Sequence, residues 1–331
     1  MNRPRVFLSV LLLLPCIFAG AQDGRARTTS SLDLKGKVCS VKESAYLCYH
    51  FEISDVKIKH FEKTKLTGFK TYRFDTSGNL LSVRMFQETP FVNQYDSFRF
   101  DDRQRMVYHQ WGVSDRPAGR EEHTYNMMGK LTSVRQYDDT GGLFQETGYR
   151  YRKGLLVEAT TYSRRNVVIS KLKYTYDSLS RLVEEENEWN PYRYSIPYRK
   201  RYAYDAHGNQ CRIRYESREK TWDYRRESDA AGRMLSEATY DARDSLLKKR
   251  VCTYDRRRRL SGEEVFDGRM YQHIQYRYAR NGRLEYIRNR FGDTDFRTIF
   301  TVYDAQGNWT EKIDYDGINM QCTIREITYY Q

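Results

Sequence analysis

No stretch of this 331-residue chain carries a sustained helical stripe, and past residue 21 no apolar run is long enough to cross a membrane as a helix. CxxC, HExxH, GxSxG, P-loop and GxGxxG patterns are all missing, which removes the usual signatures of zinc, hydrolase and nucleotide chemistry. Cysteine is scarce, and His50, His60, His109, His123, His207 and His273 stand at no ligand spacing. Aspartates are plentiful but lack the alternating spacing of calcium loops. The run Glu184-Glu185-Glu186 reads as a solvated strand or loop. These absences exclude no binding role, but they lead to the expectation of a non-enzyme with no cofactor and no metal.

The first 21 residues have a function of their own. Arg3 and Arg5 precede the apolar run 6–17, and Ala19-Gly20-Ala21 supplies a small-residue exit, so residues 1–21 read as a signal peptide cleaved between Ala21 and Gln22. Pro15 and the short run argue against an uncleaved anchor, and Pro15 before Cys16 is wrong for lipid attachment. Export places the chain in the periplasm, at the cell surface or outside the cell, where disulfides form. Cys39, Cys48, Cys211, Cys252 and Cys322 remain, an odd number, and Cys39 and Cys48 are close enough in sequence for a local disulfide. The net charge of +13 is scattered along the chain. Such a surface favours anionic glycans, lipid headgroups or acidic polymers; nucleic acid is not expected of an exported chain.

What the chain does have is a period. An aromatic residue followed by Asp, with Gly three residues later, recurs about every 25 residues, clearest at Tyr72 to Gly78, Tyr202 to Gly208 and Tyr303 to Gly307. The reference slots are Asp75, Asp101, Asn126, Arg152, Asp177, Asp205, Asp229, Asp255, Ala279 and Asp304. Aromatics at i and i+2 share one face of an extended strand. Asp and Gly supply a tight turn, and an apolar residue such as Leu80, Leu182 or Leu260 follows. Each unit therefore reads as an antiparallel hairpin. The helix-favouring composition of residues 230–250 yields to the register kept by Gly232 and Met234. The expected fold is all-β: about ten hairpins in a long, twisted and curled antiparallel sheet covering residues 69–331, after an N-terminal segment of capping strands at 22–68.

Units such as Tyr176-Asp177-Ser178-Leu179-Ser180-Arg181-Leu182 and Asp229-Ala230-Ala231-Gly232-Arg233-Met234 resemble the YD repeats of the Rhs family, from about residue 69 onward. The resemblance implies a β-sheet repeat fold and an exported, bacterial-surface setting. It does not extend to toxin delivery, because the chain ends within the repeats and carries no Asp-Pro-rich boundary motif.

The functional expectation is an envelope or surface binding or scaffold module, with an anionic glycan or another envelope protein as partner. The alternative is an assembly protein that pairs through its sheet edges. Trp111, Trp189 and Trp222 are the candidate ligand platforms, and a ring packed on the neighbouring repeat explains each of them more simply. An outer-membrane barrel needs a lipid-facing apolar row on every strand. The run Lys248-Lys249-Arg250 breaks that pattern, so a barrel is not expected.

Overall fold

The computed structural model describes residues 28–53, 58–88, 91–188, 196–292 and 294–331. The candidate cleavage site Ala21/Gln22 and Trp189 lie outside them.

The hairpins form for the local reasons given above. At Asp229, for example, one carboxylate oxygen accepts the backbone N–H groups of Ala231 (3.0 Å) and Arg233 (2.9 Å). Gly232 then takes a left-handed φ of 78°, a conformation that only glycine adopts without cost. Asp75, Asp101, Asp177, Asp205 and Asp255 accept the same pair of N–H groups, two and four residues on. At Asp304 the bond to the Asn308 N–H is present at 2.8 Å.

The sheet, however, is not an open array. Among the described residues there are 22 antiparallel strands, numbered β1 to β22 in chain order, and each pairs with the next. β1 (Val38–Ile53) pairs with both β2 (Ile58–Phe74) and β22 (Met320–Tyr329). The result is a closed barrel, which overturns the expectations of a long open sheet and of no barrel. Two physical facts account for the closure. Strand twist accumulates until the two ends of a wide sheet meet, and pairing those ends leaves no row of unsatisfied backbone groups. Closure falls to β1, which lacks the repeat signature but alternates well enough to serve two neighbours. A local Cys39–Cys48 disulfide, which their closeness in sequence allowed, would need a turn between them; both residues instead lie on β1, where extended backbone holds them far apart.

Where a tyrosine precedes the turn, it can clamp its unit to the preceding strand. The hydroxyl of Tyr204 donates to the Leu182 carbonyl (2.8 Å), that of Tyr254 to Met234 (2.7 Å) and that of Tyr278 to Leu260 (2.9 Å). Above each ring lies the guanidinium of the preceding unit: Arg181 at 4.6 Å, Arg233 at 5.0 Å and Arg259 at 4.2 Å from the ring centre. Those arginines are themselves held by Asp177, Asp229 and Asp255. A hydrogen bond and a cation–π contact contribute about 1 kcal/mol each, so the joint repeats as a nearest-neighbour term. Across the closure, the Tyr330 hydroxyl donates to the carbonyl of Phe74, the last residue of β2.

A single helical turn, Thr29–Leu32, and the residues after it span the seam at the tight-turn rim. Thr29 N–H donates to the Gly78 carbonyl (2.9 Å) and Lys35 N–H to Asn308 Oδ1 (2.7 Å). Leu34 joins Val38, Val41, Phe74, Leu80 and Val83 in a buried cluster there. A second cluster, of Cys48, Ile313, Met320 and Cys322, lies further along the seam.

The two faces of the wall differ. Along β18 (Tyr271–Tyr278), Gln272, Ile274, Tyr276 and Tyr278 are half-buried and alternate with exposed His273, Gln275 and Arg277. Side chains converge on the inside of a closed sheet and shade one another, so the tyrosine face is the inner wall. Two of its carboxylates are enclosed, Glu121 to 4% exposure and Glu263 to 8%. The outer wall is laddered with ion pairs: Arg201 and Arg214 on Glu216, Arg212 and Arg225 on Asp223, Arg288 and Arg297 on Asp295. Barrels of this strand number are too wide for side chains to fill, and they enclose a lumen.

Candidate functional site

The inner wall carries three groups in which buried or half-buried carboxylates meet donors from neighbouring strands. The first spans β4 (Val92–Phe100), β5 (Met106–Val113), β6 (Arg116–Tyr125) and β7 (Leu131–Tyr137). His109 and Glu121 are directly opposite in the β5–β6 register. His109 Nε2 lies 2.8 Å from Asp96 and its Nδ1 3.4 Å from Glu121. His123 Nε2 is 3.1 Å from Glu121, and Gln136 donates to the other Glu121 oxygen at 3.2 Å. Phe98 stacks on the His109 ring, with centroids 4.5 Å apart. Burial alone would raise the Glu121 carboxyl, but hydrogen bonds and charge from His109 and His123 outweigh it and hold it at about 2. Burial opposes protonation of His109, yet Asp96 and Glu121 raise it above the ordinary imidazole value. With a carboxylate at each ring nitrogen, the protonated form of His109 is favoured. His123 Nδ1, by contrast, is buried without a hydrogen-bond partner.

The second group is centred on Glu185. Tyr198 and Lys200 both donate to its Oε1 at 2.8 Å, and Tyr202 donates to its Oε2 at 3.3 Å. Burial, with the Glu185 charge, pushes Tyr174, Tyr198 and Tyr202 far above the usual phenol range. These hydroxyls therefore stay neutral donors at any physiological pH. Tyr215 stacks between Tyr198 (5.3 Å) and Trp222 (5.1 Å). In the third group, Tyr276 donates to Glu263 at 3.0 Å, Arg250 pairs with Glu263 at 3.2 Å, and Tyr224 donates to Glu237 at 2.6 Å. Burial and Glu237 push the Tyr224 hydroxyl up to about 12.

Of the tryptophan platforms, Trp111 sits within β5, tilted on His109 at 5.2 Å, with its ring against Gly119. A Cβ on Gly119 would come within 2.5 Å of that ring, so the glycine makes room for it. Trp222 lies within β14 (Thr221–Ser228), stacked on Tyr215. Both are half-buried parts of the inner wall. Trp309 was not singled out from the sequence. The Arg325 guanidinium lies 3.5 Å from the centre of its ring, and Arg325 pairs with Glu43 across the seam at 2.8 Å. Among the described residues, no three His, Cys, Asp or Glu side chains converge as a metal site.

Neither a family model nor a curated protein sequence matches the chain. Solved structures do show similarity. One is the crystal structure of TcdB2-TccC3-TEV, with 13% identity and a TM-score of 0.39, covering 80% of this chain and 16% of that one. Another is the Photorhabdus luminescens Tc holotoxin pore, at 11% and 0.38, covering 84% and 17%. A third is a porin-like protein from Bacteroides uniformis, at 8% and 0.32, covering 89% and 99%. The chain thus spans about a sixth of the length of the two toxin structures.

Proposed function

We propose that this is an exported barrel of the YD-repeat type whose working part is its lumen, a polar compartment that takes up small hydrophilic solutes. The observation that carries this reading is closure. Pairing of β1 with β22 turns one face of the sheet into an inner wall, and that wall is lined by neutral tyrosine hydroxyls beside paired carboxylates. Such a lining offers donors and acceptors to sugars, amides and similar molecules. Stacked pairs such as Tyr215 and Trp222 add apolar surface for the faces of ring-bearing solutes. Export follows from the signal-like residues 1–21.

Thiol labelling tests the reading, with Cys39 and Cys211 replaced by Ser to silence the half-exposed native thiols. Thr239→Cys places a thiol on the inner wall, opposite Tyr224, and Thr253→Cys places one on the outer wall. The inner thiol should react with a small methanethiosulfonate and resist a maleimide carried on a long polymer, while the outer thiol reacts with both. Equal reaction of both sites with the polymer reagent would refute an enclosed lumen.

A further inference from the structure

The seam between the first and last strands holds two cysteines that nothing above uses. In the β1–β22 register, Cys48 lies opposite Met320 and Cys322 opposite Tyr46. The two cysteines are therefore diagonal neighbours on one face of adjacent strands. Both thiols are free, and they share one buried cluster with Ile313 and Met320. Both are enclosed, at 4% and 0% exposure, beside the Lys63–Glu311 ion pair. No chain segment is better placed to fix the ring, because residues 48 and 322 belong to the strands whose pairing alone converts the sheet into a barrel.

We propose that Cys48 and Cys322 form a disulfide that locks the barrel shut when the protein folds in an oxidising compartment. The oxidant is a small disulfide such as glutathione disulfide. One cysteine thiolate attacks it, displacing one glutathione thiolate and leaving a mixed disulfide. The second cysteine thiolate attacks that sulfur and displaces the second glutathione. The sum is two protein thiols and one glutathione disulfide giving one protein disulfide and two glutathiones, with the two thiol protons carried off on the leaving thiolates. Burial pushes the Cys322 thiol up to about 12 and also raises Cys48, so attack belongs to the folding chain, before the seam is covered. Once made, the bond is shielded from reductants by the same enclosure. The inference does not depend on the lumen reading.

The test is to refold the purified full chain from urea in a glutathione redox buffer and map its peptides without reduction. The expected product is a Cys48–Cys322 linked peptide, lighter by two hydrogens, in a protein that dithiothreitol reduces only when urea is present. The oxidised protein should unfold at a urea concentration about 1 M higher than the reduced one. Cys322→Ser should abolish the difference, and Cys39→Ser should leave it intact. If the serine variant does not fold, Cys48→Ala replaces it, and the wild-type peptide map stands without either. Recovery of residues 48 and 322 as free thiols after oxidative refolding, or a linked peptide from any other pair, would overturn the proposal.

Discussion

Replacing Glu121 by Gln should destabilise the barrel in a pH-dependent way that follows from its contacts. The carboxyl is held at about 2, against an ordinary 4.5. Its ionised form therefore stabilises the fold fully above pH 4.5, and that contribution drains away as the pH falls toward 2. His109 is shifted in the opposite direction, so its contribution is complete below its ordinary value of 6.5 and is lost as the pH rises through its folded value. Both terms act together between these limits. A depression from 4.5 to about 2 corresponds to about 3 kcal/mol, and with the side chain only 4% exposed solvent screening removes little of it. Urea unfolding of wild type and Glu121→Gln near pH 5.5 should differ by about 3 kcal/mol. The difference should narrow near pH 8, and narrow most near pH 2.5. A difference that stays flat across the three pH values, or one below about 0.5 kcal/mol throughout, would refute the coupling of Glu121 to the two histidines.

Other expectations follow from the turns, the clamps and the outer wall. Arg258 occupies a turn position at φ 64°, where an L residue costs about 1–2 kcal/mol and glycine's entropy returns part of that; Arg258→Gly should raise the thermal midpoint, and a lower midpoint would contradict the turn geometry. Tyr254→Phe removes the hydroxyl that donates to the Met234 carbonyl and should cost about 1 kcal/mol in urea unfolding, whereas a neutral result would show that the clamp contributes nothing. Outer-wall arginines give the barrel a basic exterior, with a cleft of about 280 Å³ lined by His273, Gln275, Arg288 and Arg290. The protein should bind dextran sulfate at low salt and release it as salt rises; salt-independent retention would require a specific site instead.

The β-hairpin character and the period of about 25 residues were legible because they are written locally, in aromatic pairs, turn aspartates and the glycine that follows them. Even the irregular unit at Arg152 shows its cause: Lys153 and Gly154, both at positive φ, make a two-residue turn there. Closure was not legible. It depends on summed twist and on a strand, β1, that matches β22 through pairs such as Glu43 with Arg325, 282 residues apart. The inner-wall groups were hidden for the same reason. Asp96, His109 and Glu121 stand 13 and 12 residues apart, a spacing that means nothing until strand register places them side by side. The signal available was that each falls at a like position on consecutive hairpin strands, which would have required the pairing to be drawn first. Cys48 and Cys322 share no local pattern at all.

The most direct measurement of closure is an electron–electron distance between spin labels at Lys42→Cys and Glu326→Cys, in a chain with Cys39 and Cys211 replaced by Ser. These residues face each other across the β1–β22 seam and are half to two-thirds exposed, so labels there should not disturb packing. A closed barrel requires a distance distribution centred at or below about 15 Å, since paired strands lie about 5 Å apart and the labels add the rest. A distribution centred at several tens of ångströms would mean that the first and last strands never meet. The barrel, its inner wall and the lumen would then all be wrong.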